Sequence, residues 1–128
     1  MPLQPSDLIE VRRSLGRGRG VFARKMIPAG TIIERVPMLV FPDSEIQNDD
    51  GVTALYHYCF EWGPGTVALA LGCGSIYNHS YSPNARYDDI AQRTKTFSAI
   101  KDIQPGEEIT INYNGDPDDR SPMEFDVL

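Results

Sequence analysis

The chain has 128 residues, with 12 Lys plus Arg against 18 Asp plus Glu, a formal net charge of −6 and a pI near 4.8. That length holds one domain able to fold without a disulfide or metal staple, since a chain of this size buries roughly two-thirds of its unfolded surface. The acidic balance argues against direct nucleic-acid binding, which needs a basic face, and suits a basic partner such as a Lys-rich peptide.

Eleven Gly and ten Pro point to many short strands joined by tight turns, and so to a mainly β fold. Residues 8–12 (LIEVR) and 21–24 (VFAR) read as strands around a loop, SLGRGRG. After the turn Pro28-Ala29-Gly30, residues 31–41 (TIIERVPMLVF) form a β-rich run that Pro37 is expected to break in two. Residues 42–52 are polar and read as a loop, and 53–60 (TALYHYCF) fit either a strand or a helical turn. Strands are expected over 66–72 (TVALALG), 95–100 (KTFSAI) and 107–113 (EEITINY), with Gln104-Pro105-Gly106 turning before the last. No apolar run is long enough to span a membrane and the N-terminus has no apolar h-region, so the expected location is the cytoplasm, or the nucleus in a eukaryote. Cys59 and Cys73 fall in no metal-ligand spacing, so two buried reduced thiols are expected and no metal site.

Three stretches carry chemistry. The first, S-L-G-R-G-R-G-V-F-A (14–23), has glycines at 16, 18 and 20 that let backbone approach another group closely. It lacks the spacing and the following helix of a nucleotide fingerprint, and the arginines around it (12, 13, 17, 19 and 24) read as a solvated basic edge. The second, G-S-I-Y-N-H-S-Y-S-P-N-A-R-Y (74–87), is too polar for a core strand. His79 and Ser80 are adjacent and no G-x-S-x-G elbow exists, which disfavours a hydrolase pair. An Asx-rich turn and a set of fixed hydrogen-bond groups both remain open. The third, P-G-E-E-I-T-I-N-Y (105–113), is a turn and an amphipathic strand, with Ile109, Ile111 and Tyr113 on one face and Thr110 and Asn112 on the other.

In this order and spacing, G-R-G-V-F-A, N-H-S-x-x-P-N and G-E-E-I-T-I-N-Y resemble the SET-domain protein lysine methyltransferases, over about residues 8–113. The likeness is strongest to the short bacterial and viral members that are little more than the SET core. The resemblance implies one domain spanning 1–128, with a core over 8–113 and a tail or lid over 114–128. Its fold would be a β-clip of small, mostly antiparallel sheets with a C-terminal pseudoknot. It implies S-adenosyl-L-methionine as cofactor, with the backbone at Gly18, Arg19 and Gly20 at its methionine end, Asn78 on its amino-acid part and the His79 backbone at its adenine edge, the His79 ring anchoring the knot.

Tyr113 matches the family's catalytic tyrosine. Tyr58 and Tyr87 are the expected walls of the substrate-lysine channel, and a tyrosine at 87 hints at mono- or dimethylation. The cysteine-rich, zinc-binding segment of many members has no counterpart after Cys73, so Phe125 is expected to cover the adenine. Asn112 and Asn114 depart from the family's usual Asp-like residue and Gly. The expected partner is a lysine in a histone-like or other Lys-rich protein, with no direct nucleic-acid or membrane partner, and a homodimer is compatible with so small a domain. The alternative is an inactive SET-like module that only docks a basic peptide.

Overall fold

The computed structural model describes residues 6–123. Within them lie strands β1 (Ile9–Ser14), β2 (Gly18–Ala23), β3 (Ile32–Pro42), β4 (Gln47–Asn48), β5 (Gly51–Val52), β6 (Cys59–Glu61), β7 (Thr66–Ala70), β8 (Asn78–His79), β9 (Ala85–Ile90), β10 (Thr94–Ala99) and β11 (Glu108–Ile111), with short 3-10 turns at Asp43–Ile46 and Ala54–Tyr58. They form a four-stranded sheet in the order β1-β2-β11-β8, a five-stranded sheet in the order β6-β7-β3-β10-β9, and the β4-β5 pair. The core between the two larger sheets is built of Ile9, Val21, Ile33, Val36, Phe97, Ile109 and Ile111, with Ile27 and Ile103 bridging the turns beside it.

Several local expectations are corrected. Pro37 does not divide residues 31–41: β3 runs through it and exchanges partners there, pairing with β10 from Ile32 to Pro37 and with β7 from Met38 to Pro42. The Pro37 carbonyl accepts from Leu71 N–H, so the donor it lacks faces the side where the β7 ladder ends and costs no strand bond. The glycine stretch is not a long loop, since Gly18, Arg19 and Gly20 pair with Ser14, Arg13 and Arg12 and extend β2. Residues 42–52 hold a 3-10 turn and a two-residue hairpin, and 53–60 resolve into a 3-10 turn followed by β6.

β9 was not anticipated, because A-R-Y-D-D-I alternates weakly. It is an edge strand, where charged outward residues are tolerated and block further pairing. Cys59 and Cys73 are free and only half buried.

β11 is not amphipathic in place. Ile109, Thr110, Ile111 and Asn112 are all buried, so both faces of the strand are covered, and both of its edges are paired as well. One edge pairs antiparallel with β2 (Glu108↔Phe22, Ile109↔Val21). The other runs parallel to β8 (Thr110↔Asn78, Ile111↔His79), and Ser80 N–H donates to the Ile111 carbonyl at 2.9 Å. Asn84 closes this edge: its Oδ1 accepts from Thr110 N–H at 2.9 Å and its Nδ2 donates to the Glu108 carbonyl at 2.8 Å. The two asparagines of N-H-S-x-x-P-N thus flank one strand, which explains why that stretch is polar yet largely buried.

Asn84→Ala leaves a buried donor and a buried acceptor on β11 unsatisfied. Urea unfolding is expected to show a loss of about 2–4 kcal/mol. A loss under about 0.5 kcal/mol would mean that Asn84 does not pin the strand.

Candidate active site

Each end of β11 presents a polar cluster. At Glu108, the carboxylate gathers side chains from three other segments. Ser14 Oγ donates to its Oε1 at 2.6 Å, Arg17 pairs with the same oxygen at 3.3 Å, and Asn78 Nδ2 donates to Oε2 at 2.6 Å. Asn78 Nδ2 also donates to the Arg19 carbonyl at 2.9 Å. Gly20 is required for this convergence, since a Cβ there would run into the Glu108 carboxylate and lie 2.9 Å from Asn78 Nδ2. Gly18 has φ +76°, a left-handed conformation that favours glycine.

Beyond the other end of β11 stands Tyr113. Its hydroxyl donates to the Tyr77 carbonyl at 2.6 Å, and its backbone N–H donates to His79 Nδ1 at 3.0 Å. The Tyr87 hydroxyl donates to the Tyr113 carbonyl at 3.1 Å. Burial raises the Tyr113 hydroxyl to a pKa of about 12, with Glu108 adding to the rise, and burial followed by Asp89 takes Tyr87 to about 12 as well. Both are neutral phenols at physiological pH.

Tyr77 is held from the other side. Its ring stacks on Phe97 at 4.5 Å and its hydroxyl donates to Glu34 Oε1 at 2.8 Å, so the carbonyl that meets Tyr113 belongs to an anchored residue. Burial pushes the Glu34 carboxyl above its ordinary value, opposed by the Tyr77 hydrogen bond.

His79 is buried, and a ring nitrogen that accepts an N–H must be unprotonated, which places the neutral ring's proton on Nε2. Its pKa is lowered, first by burial and then by the Arg17 charge. Beyond it the chain is held by asparagines. Asn112 Nδ2 donates to the Asp119 carbonyl at 2.5 Å, its Oδ1 accepts from Asn114 N–H at 3.0 Å, and Asn114 Nδ2 and the Tyr81 hydroxyl both reach the Ser121 carbonyl. The two residues that depart from the family pattern therefore shape the turn that carries the tail back over the 78–82 segment.

Of the residues singled out in the sequence, Gly18, Arg19, Gly20 and Asn78 meet in one cluster, while Tyr113, His79 and Tyr87 meet in the other. Tyr58 does not join them: it lies on the 3-10 turn, 55% exposed, and among the described residues nothing links it to Tyr87 or Tyr113. Phe60, two residues on, packs edge-to-face on the Tyr87 ring at 5.2 Å. The chain leaves the 3-10 turn at Tyr58 and enters β6 at Cys59, which places Phe60 on the sheet and leaves Tyr58 on the exposed turn. Phe125 lies outside the described residues. Sequence reading missed Glu108, Arg17 and Tyr77, although Glu108 shares the 108, 110, 112 alternation with the polar positions of its strand.

Fold and site together define a SET domain. Residues 18–114 match the family described as "SET domain". The chain is 37% identical over 106 residues to the Schizosaccharomyces pombe histone-lysine N-methyltransferase specific for H3 lysine-37, covering 82% of this chain and 72% of the relative. It is 34% identical over 127 residues to the H3 lysine-9 enzyme of the same yeast, covering 86% of this chain but only 26% of that longer protein. A crystal structure of a Plasmodium falciparum protein assigned as a histone methyltransferase superposes with a TM-score of 0.68 at 32% identity, covering 87% of this chain and 95% of that one. The chain belongs to the SET-domain family of protein lysine methyltransferases.

The depressed His79 pKa has a definite sign. Its contribution to stability is complete above the ordinary histidine value of 6.5 and is lost as pH falls through the lowered folded value. His79→Phe is expected to be about 1–3 kcal/mol less stable than wild type at pH 7.5. Urea titrations should show that gap narrowing towards pH 5. A gap that is constant with pH would remove the imidazole from the account.

Proposed function

We propose that the chain transfers the methyl group of S-adenosyl-L-methionine to the side-chain amine of a lysine in a histone or other Lys-rich protein. One observation carries the reading: β11 holds at one end the Gly20-Asn78-Glu108 cluster and just past its other end the Tyr113-Tyr87-Tyr77 cluster, so a cofactor-binding end and an acceptor end share one rigid strand.

The first cluster suits the zwitterionic end of the cofactor. Among the described residues Asn78 Oδ1 has no hydrogen-bond partner and can accept from an ammonium. Arg17 brings the positive charge that a carboxylate needs, and the open space at Gly18 allows close approach to the backbone. Bound there, the cofactor supplies a sulfonium methyl, an electrophile that a neutral amine attacks in line.

The remaining work falls to residues of the chain. A free lysine is neutral in only about one molecule in 2,500 at pH 7. Neither Tyr113 nor Tyr87, with pKa near 12, is a base at that pH. The neutral His79 ring is already committed to the Tyr113 N–H. The proton therefore leaves to water before the chemical step, helped by the neighbouring sulfonium charge, which disfavours the ammonium. With its hydrogen donated to the Tyr77 carbonyl, the Tyr113 oxygen retains lone pairs that would accept from the polarised methyl or orient the amine. Rate enhancement rests on alignment and fixed dipoles.

A cleft of about 320 Å³ lined by Arg86, Tyr87, Asp88, Asp89, Gly115 and Asp116 adjoins the tyrosines. Asp88 is paired with Arg86 and Asp89 with Lys95, which leaves Asp116 as the carboxylate of this cleft that a basic peptide could meet. The H3 specificity in the names of the two yeast relatives makes histone H3 the first acceptor to test. The inactive-module alternative gains nothing from this site, which retains both clusters.

Tyr113→Phe is expected to lower kcat on recombinant histone H3 at least tenfold, about 1.4 kcal/mol of barrier. The shape of the pH profile should not change, because the hydroxyl does not titrate in the working range. Turnover like that of wild type would overturn the role of Tyr113, and a lost pH limb would make it a base.

Calorimetric titration with S-adenosyl-L-methionine is expected to show micromolar binding by wild type and none by Asn78→Ala. Equal binding by both would move the cofactor away from the first cluster.

A further inference from the structure

Lys95 is buried, with 1% of its side chain exposed, on the same face of β10 as Phe97. Its Nζ lies 4.2 Å from the centroid of the Phe60 ring, 4.2 Å from that of Tyr87 and 5.9 Å from that of Trp62. Asp89, opposite it on β9 and half exposed, accepts from it at 2.6 Å. An apolar residue would fill such a position at less cost, since burying a charge is expensive even when it is paired. What the ammonium adds is direction: it attracts ring faces and thereby orients them.

The ring shared between this cage and the active site is that of Tyr87. Its hydroxyl donates to the Tyr113 carbonyl, and its face is held by Lys95 and by the edge-to-face contact with Phe60. Cage and catalytic tyrosine are thus two contacts of one side chain.

We propose that Lys95 is a positioning residue that, through the Tyr87 ring, sets the placement of Tyr113 and the width of the acceptor-lysine channel. The proposal rests on the reading of Tyr113 as the methyl-transfer tyrosine, and it gives the cage a purpose that packing alone does not.

The test uses the full chain labelled with ring-13C tyrosine, together with methylation of recombinant histone H3. Lys95→Met keeps the aliphatic stem and removes the charge. It is expected to shift the ring signals of both Tyr87 and Tyr113 while leaving those of Tyr56 and Tyr81 in place. It should lower kcat about fivefold or more with the acceptor KM within about twofold, and move products towards higher methylation. In a Tyr87→Phe background the same substitution should change kcat less than about twofold, because the path through the hydroxyl is already cut.

Asp89→Asn, at a half-exposed position with little risk to folding, should shift the same two tyrosine signals by a smaller amount. Tyr113 signals that stay put in both variants, or losses that add fully in the double variant, would overturn the proposal. A wild type that methylates nothing would overturn the proposed function instead, and the tyrosine signals would still decide whether Lys95 positions Tyr113.

Discussion

The insertion of β11 between β2 and β8 is the constraint on which the rest of the molecule depends. A four-residue strand has few ladder bonds of its own, so it is held by what surrounds it: an antiparallel edge on β2, a parallel edge on β8, and the two-point clamp of Asn84. With both edges paired and both faces buried, the strand cannot slide without leaving backbone groups unsatisfied in the interior. Its rigidity passes directly to Glu108 at one end and Tyr113 beyond the other. The two ends that a methyl transfer must hold in register are therefore anchored on a buried ladder, with Arg17, Tyr77 and Tyr113 carried on the short turns beside it.

The polar groups around β11 follow one logic. Glu34, Tyr77, His79, Asn84 and Asn112 are buried or nearly so, and each is tied to a backbone group or a partner side chain. Satisfied in this way they specify a single arrangement, and the low dielectric around them keeps the phenols protonated and His79 neutral. A site of neutral, oriented dipoles suits a reaction whose electrophile carries its own positive charge and whose nucleophile must arrive uncharged. The buried positive charge of Lys95, beside Tyr87, is held against Asp89 and two aromatic faces.

Much of the site was legible in the chain because it consists of short-range patterns. The glycines of G-R-G, the asparagines of N-H-S-x-x-P-N and the tyrosine closing E-E-I-T-I-N-Y each mark a backbone or hydrogen-bond need that few other residues meet. What stayed hidden depends on partners distant in sequence. Lys95 alternates with Phe97 and Ala99, so its inward face could be read, but nothing local says that Phe60, Tyr87 and Trp62 surround it. Whether residues 53–60 coil or extend, and so whether Phe60 or Tyr58 meets the Tyr87 ring, is not decided by periodicity over eight residues.

By itself the sequence determined a mainly β domain, the order of its motifs and the identity of the tyrosine at the end of the last strand, because alternation, turn residues and hydrogen-bonding side chains act within a few positions of one another. Only the tertiary structure decided that β3 runs through Pro37 by changing partners, that Gly18, Arg19 and Gly20 belong to a strand, that Glu108 gathers Ser14, Arg17 and Asn78, and that a buried lysine lies against the Phe60 and Tyr87 rings. Apart from the short β1-β2 hairpin, those outcomes depend on edges and faces brought together from a few tens of residues to 94 residues apart in the chain. Pairing of that kind is settled by the burial and hydrogen-bond satisfaction of the whole assembly and not by the preference of any one segment.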